Sequence, residues 1–139
     1  MSPVLGTGID LVENDRVREM IDRWGSRFMD RVFCPAEQAY CLDKAFPHQH
    51  FAARFAVKEA VSKALGTGIS PQVSWRCIEV IRDSGSGAPS VQLHGPAADF
   101  ARRLGVAEIL VSLSHTRNHA VASATLLAER RKGVPDDHR

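Results

Sequence analysis

The chain has 139 residues, 44% of them hydrophobic, which suffices for one compact core, and a second domain is not expected. With 18 Lys and Arg against 16 Asp and Glu the net charge is +2, which excludes the global basic field of a nucleic-acid binder. No segment approaches the ~20 apolar residues of a membrane span and no basic leader precedes a hydrophobic run, so a cytosolic protein without membrane or nucleic-acid partners is expected.

Val4 to Leu11 reads as a buried strand carrying Asp10 near its carboxyl end. Asn14 is positioned to cap a first helix, in which Val17, Met20, Ile21 and Trp24 form an apolar stripe and Gly25 is the stop. Arg16 and Arg23 share another face of it. Pro35 opens a second helix that runs to about Lys44, before Pro47 breaks the pattern. A third helix spans about His50 to Leu65, free of proline and glycine, and Gly66 supplies its left-handed cap. The period then changes to that of strands. Cys77 to Ile81 and Ser90 to His94 form a hairpin around Asp83 to Gly87. Pro96 to Leu104 is a short helix, and Glu108 to Ser114 and Ala120 to Leu127 are two strands around a turn from His115 to His119. Grouped helices predict an α+β fold, with a largely antiparallel sheet packed against the long buried helix. The expected domain covers residues 1–128, and residues 129–139 read as a charged, disordered tail. Cys34, Cys41 and Cys77 lack CxxC spacing and read as small buried side chains in a reducing compartment.

The long helix poses an energetic problem. Its apolar side chains cover nearly the whole circumference, yet it holds Arg54, Lys58, Glu59 and Lys63, and buried charge demands partners. Glu59 and Lys63 stand at i, i+4 in the favourable order. Arg54 and Lys58 have the same spacing but like charge. They fit either a solvated helix edge or a phosphate held by an arginine fork and a lysine point charge. Asp10 and Glu59 are the sparse carboxylate pair that Mg²⁺ accepts, although Asp10 reads equally as a turn residue. His115, where a strand gives way to a turn, fits a ligand contact or a structural hydrogen bond. His48, His50, His94 and His119 show no zinc spacing and read as surface or turn residues.

Three blocks together resemble the holo-acyl-carrier-protein synthase family of 4′-phosphopantetheinyl transferases: Gly8 to Glu13, Arg54 to Ile69, and Ser112 to Thr116. The resemblance spans about Gly6 to Leu127. It implies a phosphopantetheinyl transferase-like fold and a homotrimer with coenzyme A sites between subunits. The implied reaction moves phosphopantetheine from coenzyme A to a serine of an acyl carrier protein, a step of fatty acid biosynthesis. It further implies Asp10 and Glu59 as Mg²⁺ ligands, and Glu59, Lys63 and His115 as the catalytic group. Arg54, Lys58, Gly66, Gly68, Gly87, Pro89, His115 and Thr116 are implied to surround coenzyme A, with Arg16 and Arg23 docking the carrier. Ser86-Gly87-Ala88-Pro89 stands where relatives carry Asn-Gly-Lys-Pro, so a basic contact to the nucleotide end is lost; Lys44 is the candidate replacement.

The reaction is attack of a serine hydroxyl on the β-phosphorus of the pyrophosphate, releasing adenosine 3′,5′-bisphosphate, and the charge on the pyrophosphate must be neutralised. A metal-bound water and Glu59 are both candidate bases. The rival readings are a non-catalytic coenzyme A or nucleotide-binding module and a purely structural trimer subunit. The carboxylates Asp10 and Glu59 discriminate against the first, because they oppose a pyrophosphate unless a cation lies between.

Overall fold

Glycine at two positions lets a helix lie directly on the first strand. β1 (Val4–Glu13) presents Gly6, Gly8, Asp10 and Val12 inward and Leu5, Ile9 and Leu11 outward. A Cβ on Gly8 would stand 2.0 Å from the Ala60 carbonyl oxygen, and one on Gly6 2.3 Å from that of Ala64. Only glycine therefore admits α4 (Pro47–Ala64) at this depth. The floor continues through Ala120, Ala122, Ala124 and Leu126, all buried.

The computed structural model describes residues 3–129. β1, β5 (His119–Ala128) and β4 (Val106–His115) form an antiparallel sheet in the order β1-β5-β4. β2 (Ile78–Arg82) and β3 (Pro89–Leu93) form a separate antiparallel hairpin. Helices α1 (Asn14–Trp24), α2 (Ser26–Val32) and α3 (Pro35–Leu42) precede α4, and α5 (Gly95–Leu104) links hairpin to sheet. The α+β class and the long buried helix agree with expectation, while the antiparallel pairing divides between two sheets. Among the described residues no helix is long and apolar enough to cross a membrane.

Several local readings need correction. Pro47 opens α4 at its first turn, where a missing N–H costs nothing. The seven-residue α2 was not foreseen. Asn14 does not cap α1. It is buried, and its side-chain amide donates to the carbonyls of Thr116 (2.8 Å) and Arg117 (3.1 Å), clasping the β4–β5 turn to the start of α1. Trp24, expected on the core stripe, is 48% exposed. Of the cysteines only Cys41 is buried, and burial pushes its thiol up to about 12. The expected tail falls outside the described residues except for Glu129.

The largest correction concerns Lys58. Expected at a phosphate, it lies in the core with its side chain fully buried, paired with the equally buried Glu37 at 2.9 Å. Its ammonium also donates to the carbonyls of Trp75 (3.0 Å) and Ile78 (2.5 Å), so all three protons are committed. Glu37 in turn accepts from the backbone N–H of Cys34 (2.7 Å) and Val80 (2.8 Å). This network ties α3, α4 and β2 together. The anion that the sequence demanded beside Lys58 exists, and it is a protein carboxylate.

Candidate active site

The remaining charges of α4 separate into two clusters. With about 100° of rotation per residue, Arg54 and Glu59 project roughly 140° apart around the helix axis. Glu59 faces β1 and Arg54 faces β4 and the β2–β3 hairpin.

In the first cluster Lys63 Nζ meets Asp10 Oδ1 at 2.9 Å and donates to the Ile9 carbonyl at 3.2 Å. The i, i+4 geometry expected for Lys63 and Glu59 thus gives way to a contact across to the strand. Glu59 is half-buried beside Asp10, and its carboxyl is held above the ordinary value, first by burial and then by the Asp10 charge, with Lys63 opposing. The Asp10 charge therefore acts on Glu59, a coupling that spacing alone left open. Two neighbouring carboxylates with one exposed ammonium form a set that a divalent cation can complete.

The second cluster lines a cavity of about 300 Å³ between α4, the hairpin and the end of β4, with His50, Arg54, Arg82, Gly87, Pro89 and His115 in its wall. Tyr40 is its platform. The Arg54 guanidinium lies 4.0 Å from the centre of the Tyr40 ring, Lys44 Nζ 4.4 Å and the Arg82 guanidinium 5.9 Å. Arg82 also donates to the Tyr40 hydroxyl at 2.7 Å. Arg54 Nε and His115 Nδ1 are buried and lack any hydrogen-bond partner among the described residues, an arrangement that favours a ligand over a solvated surface. An anion would complete it. Of the residues expected around coenzyme A, the structure gathers Arg54, Gly87, Pro89 and His115 in the cavity wall, while Lys44 stands over Tyr40. The sequence reading missed Tyr40, Arg82 and His50; the last lies in the wall rather than on the surface.

The chain matches the model described as the 4′-phosphopantetheinyl transferase superfamily over residues 6–124. The chain belongs to this superfamily. It is 49% identical over 123 residues to the holo-[acyl-carrier-protein] synthase of Koribacter versatilis, covering 88% of this chain and 98% of that one. The solved holo-[acyl-carrier-protein] synthase of Neisseria meningitidis superimposes with a TM-score of 0.82 at 28% identity, covering 88% of this chain and 98% of that one. That of Helicobacter pylori, solved in complex with coenzyme A, gives 0.76 at 30% identity, covering 86% and 98%.

Three residues expected around coenzyme A are not part of the cavity wall. Gly66 (φ 84°) and Gly68 (φ 62°) close α4 at its far end, where the N–H of Gly68 donates to the Ser62 carbonyl at 3.0 Å. Thr116 follows His115, but its hydroxyl accepts the N–H groups of Asn118 (3.3 Å) and His119 (3.1 Å) and shapes the turn. Arg16 and Arg23 are exposed on α1, flanking the half-buried Met20. Trp24 extends this surface between the Arg23 guanidinium at 5.2 Å and that of Arg27 at 6.0 Å. Met20, Trp24, Arg27, Phe28 and Arg31 line a groove there of about 330 Å³.

Proposed function

We infer that the two clusters are two halves of one transfer centre, completed between copies of the chain. The chain is a holo-[acyl-carrier-protein] synthase: it moves the 4′-phosphopantetheine group of coenzyme A to a serine of apo acyl carrier protein and releases adenosine 3′,5′-bisphosphate. The observation that carries the site assignment is the Glu59 carboxyl held above its ordinary value by burial and by the Asp10 charge, a repulsion that a cation joining the two would relieve.

Asp10 and Glu59 would hold Mg²⁺, which when bound supplies positive charge to the pyrophosphate oxygens. Lys63, 49% exposed at its side chain, is free to turn from Asp10 toward a phosphate oxygen and offset charge there. On the other half, Arg54 Nε and His115 Nδ1 bind and orient a phosphate, Lys44 and Arg82 add charge around it, and Gly87 and Pro89 form the wall against the nucleotide. Lys58 supports this half from behind, by fixing α4 against β2.

A homotrimer is supported by the outward face of the sheet. Leu5 (45% exposed), Ile9 (66%), Leu11 (66%) and Leu110 (47%) lie uncovered on it or at its margin, a patch of the kind that marks a protein interface. A cyclic contact through that face would bring the β1 half of one copy toward the β4 half of the next. Residues 1–128 would suffice as the working unit. The acidic carrier would meet the basic and aromatic surface of α1, with Arg16 and Arg23 as charge contacts and the groove beside Trp24 for an apolar side chain.

The test is to incubate the protein with coenzyme A, Mg²⁺ and apo acyl carrier protein and to weigh the carrier. A gain of one phosphopantetheine in the wild type, and its loss in Glu59→Gln, supports the reading. Transfer at the wild-type rate by both Glu59→Gln and Asp10→Asn at limiting Mg²⁺ would sink the assignment of these carboxylates.

A further inference from the structure

His50 is a histidine in a cationic wall. Its ring lies 5.3 Å from that of His115 in a T-shaped contact and 5.9 Å from Tyr40. Arg54, one turn on, reaches back to the His50 carbonyl at 3.5 Å. The charged and titratable groups facing it are His115 from β4, Arg54 from α4, Arg82 from β2, and Lys44 and Tyr40 from α3 and the segment after it. Every charge acting on the ring from these groups is positive.

We propose that His50 is the proton-accepting contact of this cavity: it meets an incoming phosphate as a neutral ring and takes up one proton from solvent as the anion seats. The proposal rests on the cavity being the coenzyme A phosphate site. In the free protein, burial and then the neighbouring His115, Arg54, Lys44 and Arg82 charges push the imidazole down to about 4, so it is neutral at physiological pH. A phosphate between these cations reverses the sign of the local field, and the imidazolium becomes the favoured form. Arg54 Nε and His115 Nδ1, already buried and unpartnered, show that the wall is built for such an acceptor. Protonated His50 adds a charge-assisted donor beside them.

Linkage makes this measurable. Binding that takes up a proton tightens as pH falls, by up to tenfold per pH unit between the free and bound titration points. The phosphates of the ligand titrate as well, but that contribution is common to wild type and variant, so their difference isolates His50. Coenzyme A is titrated by calorimetry into the full chain at pH 6.5 in two buffers of different ionisation enthalpy. Proton uptake in the wild type and its reduction in His50→Gln are expected, together with a gain in wild-type affinity relative to the variant of about tenfold between pH 8 and pH 6. If His50→Gln does not fold, His50→Phe keeps a ring against Tyr40 and His115 and serves instead. Repeating the titration with 3′-dephospho-coenzyme A identifies the phosphate: uptake lost with this ligand assigns it to the 3′-monoester, and uptake kept assigns it to the pyrophosphate. Coenzyme A binding without proton uptake, or with equal uptake in wild type and variant, overturns the role of His50. Failure of coenzyme A to bind at all would instead overturn the reading of the cavity.

Discussion

Lys58 and Lys63 stand on the same helix, and each meets a carboxylate at 2.9 Å. Around Lys58 and Glu37 the side chains are fully buried, while Lys63 and Asp10 retain 49% and 16% exposure. In the dry pair every donor has a fixed partner, and removing either ion strands the other in a medium that cannot solvate it. In the wet pair water replaces what is lost, so the ammonium can exchange partners at small cost. The same chemical contact is a structural rivet in one place and an exchangeable pair in the other. Burial of Lys58 lowers its proton affinity and Glu37 opposes that shift, in keeping with an ion retained only because its partner is fixed.

The contrast can be broken at the dry end first. Lys58→Met should cost on the order of 3–5 kcal/mol of folding free energy by urea denaturation, because Glu37 keeps its charge without a counter-ion. A loss under about 1 kcal/mol would remove the distinction between the pairs. What remains folded should bind coenzyme A more weakly only in so far as α4 shifts against β2, since the ammonium itself does not reach the cavity.

At the wet end, activity and stability should part. On the proposed assignment of Asp10 to Mg²⁺, Asp10→Asn should lower turnover by about 100-fold or more, a loss of several kcal/mol at roughly 1.4 kcal/mol per decade. Its unfolding free energy should stay within about 1 kcal/mol of wild type. Initial rates and urea melts on the same preparations test both statements.

A smaller effect concerns Glu59. Its carboxyl is raised above the ordinary value of 4.5, so the stability it contributes is present below that value and is lost as pH rises through the folded-state value. Without metal, Glu59→Gln should therefore melt slightly above wild type at pH 7, and the gap should close toward pH 4. Added Mg²⁺ should raise the melting point of the wild type and leave the variant unmoved. The smallest expected effect is the coupling of Lys63 to Asp10, about 0.2–1 kcal/mol in a double-mutant cycle and shrinking with salt.

Much of the site was legible because local rules survive folding. A long alanine-rich helix with a glycine stop, a strand carrying Asp10 and a strand that gives way to a turn after His115 each follow from short-range preferences, although β1 runs on to Glu13. Lys58 was misread because helical spacing states which residues share a face, and nothing in it reveals that α3 delivers Glu37 to that face. Tyr40, His50 and Arg82 come from three separate elements, and only tertiary packing makes them a group. The short α2 holds too few turns for a period to emerge. Asn14 looked like a cap because asparagine favours that position, but the β4–β5 turn offered its amide two carbonyls instead.

The opposed flanks of α4 have a genetic consequence. If the Glu59 half and the Arg54 half of each working centre come from different copies, a chain lacking one half and a chain lacking the other are both inactive alone. Unfolded together and refolded as mixed assemblies, they should complement. In a random one-to-one mixture about a quarter of the interfaces unite two intact halves, whereas a centre confined to one chain would regain nothing.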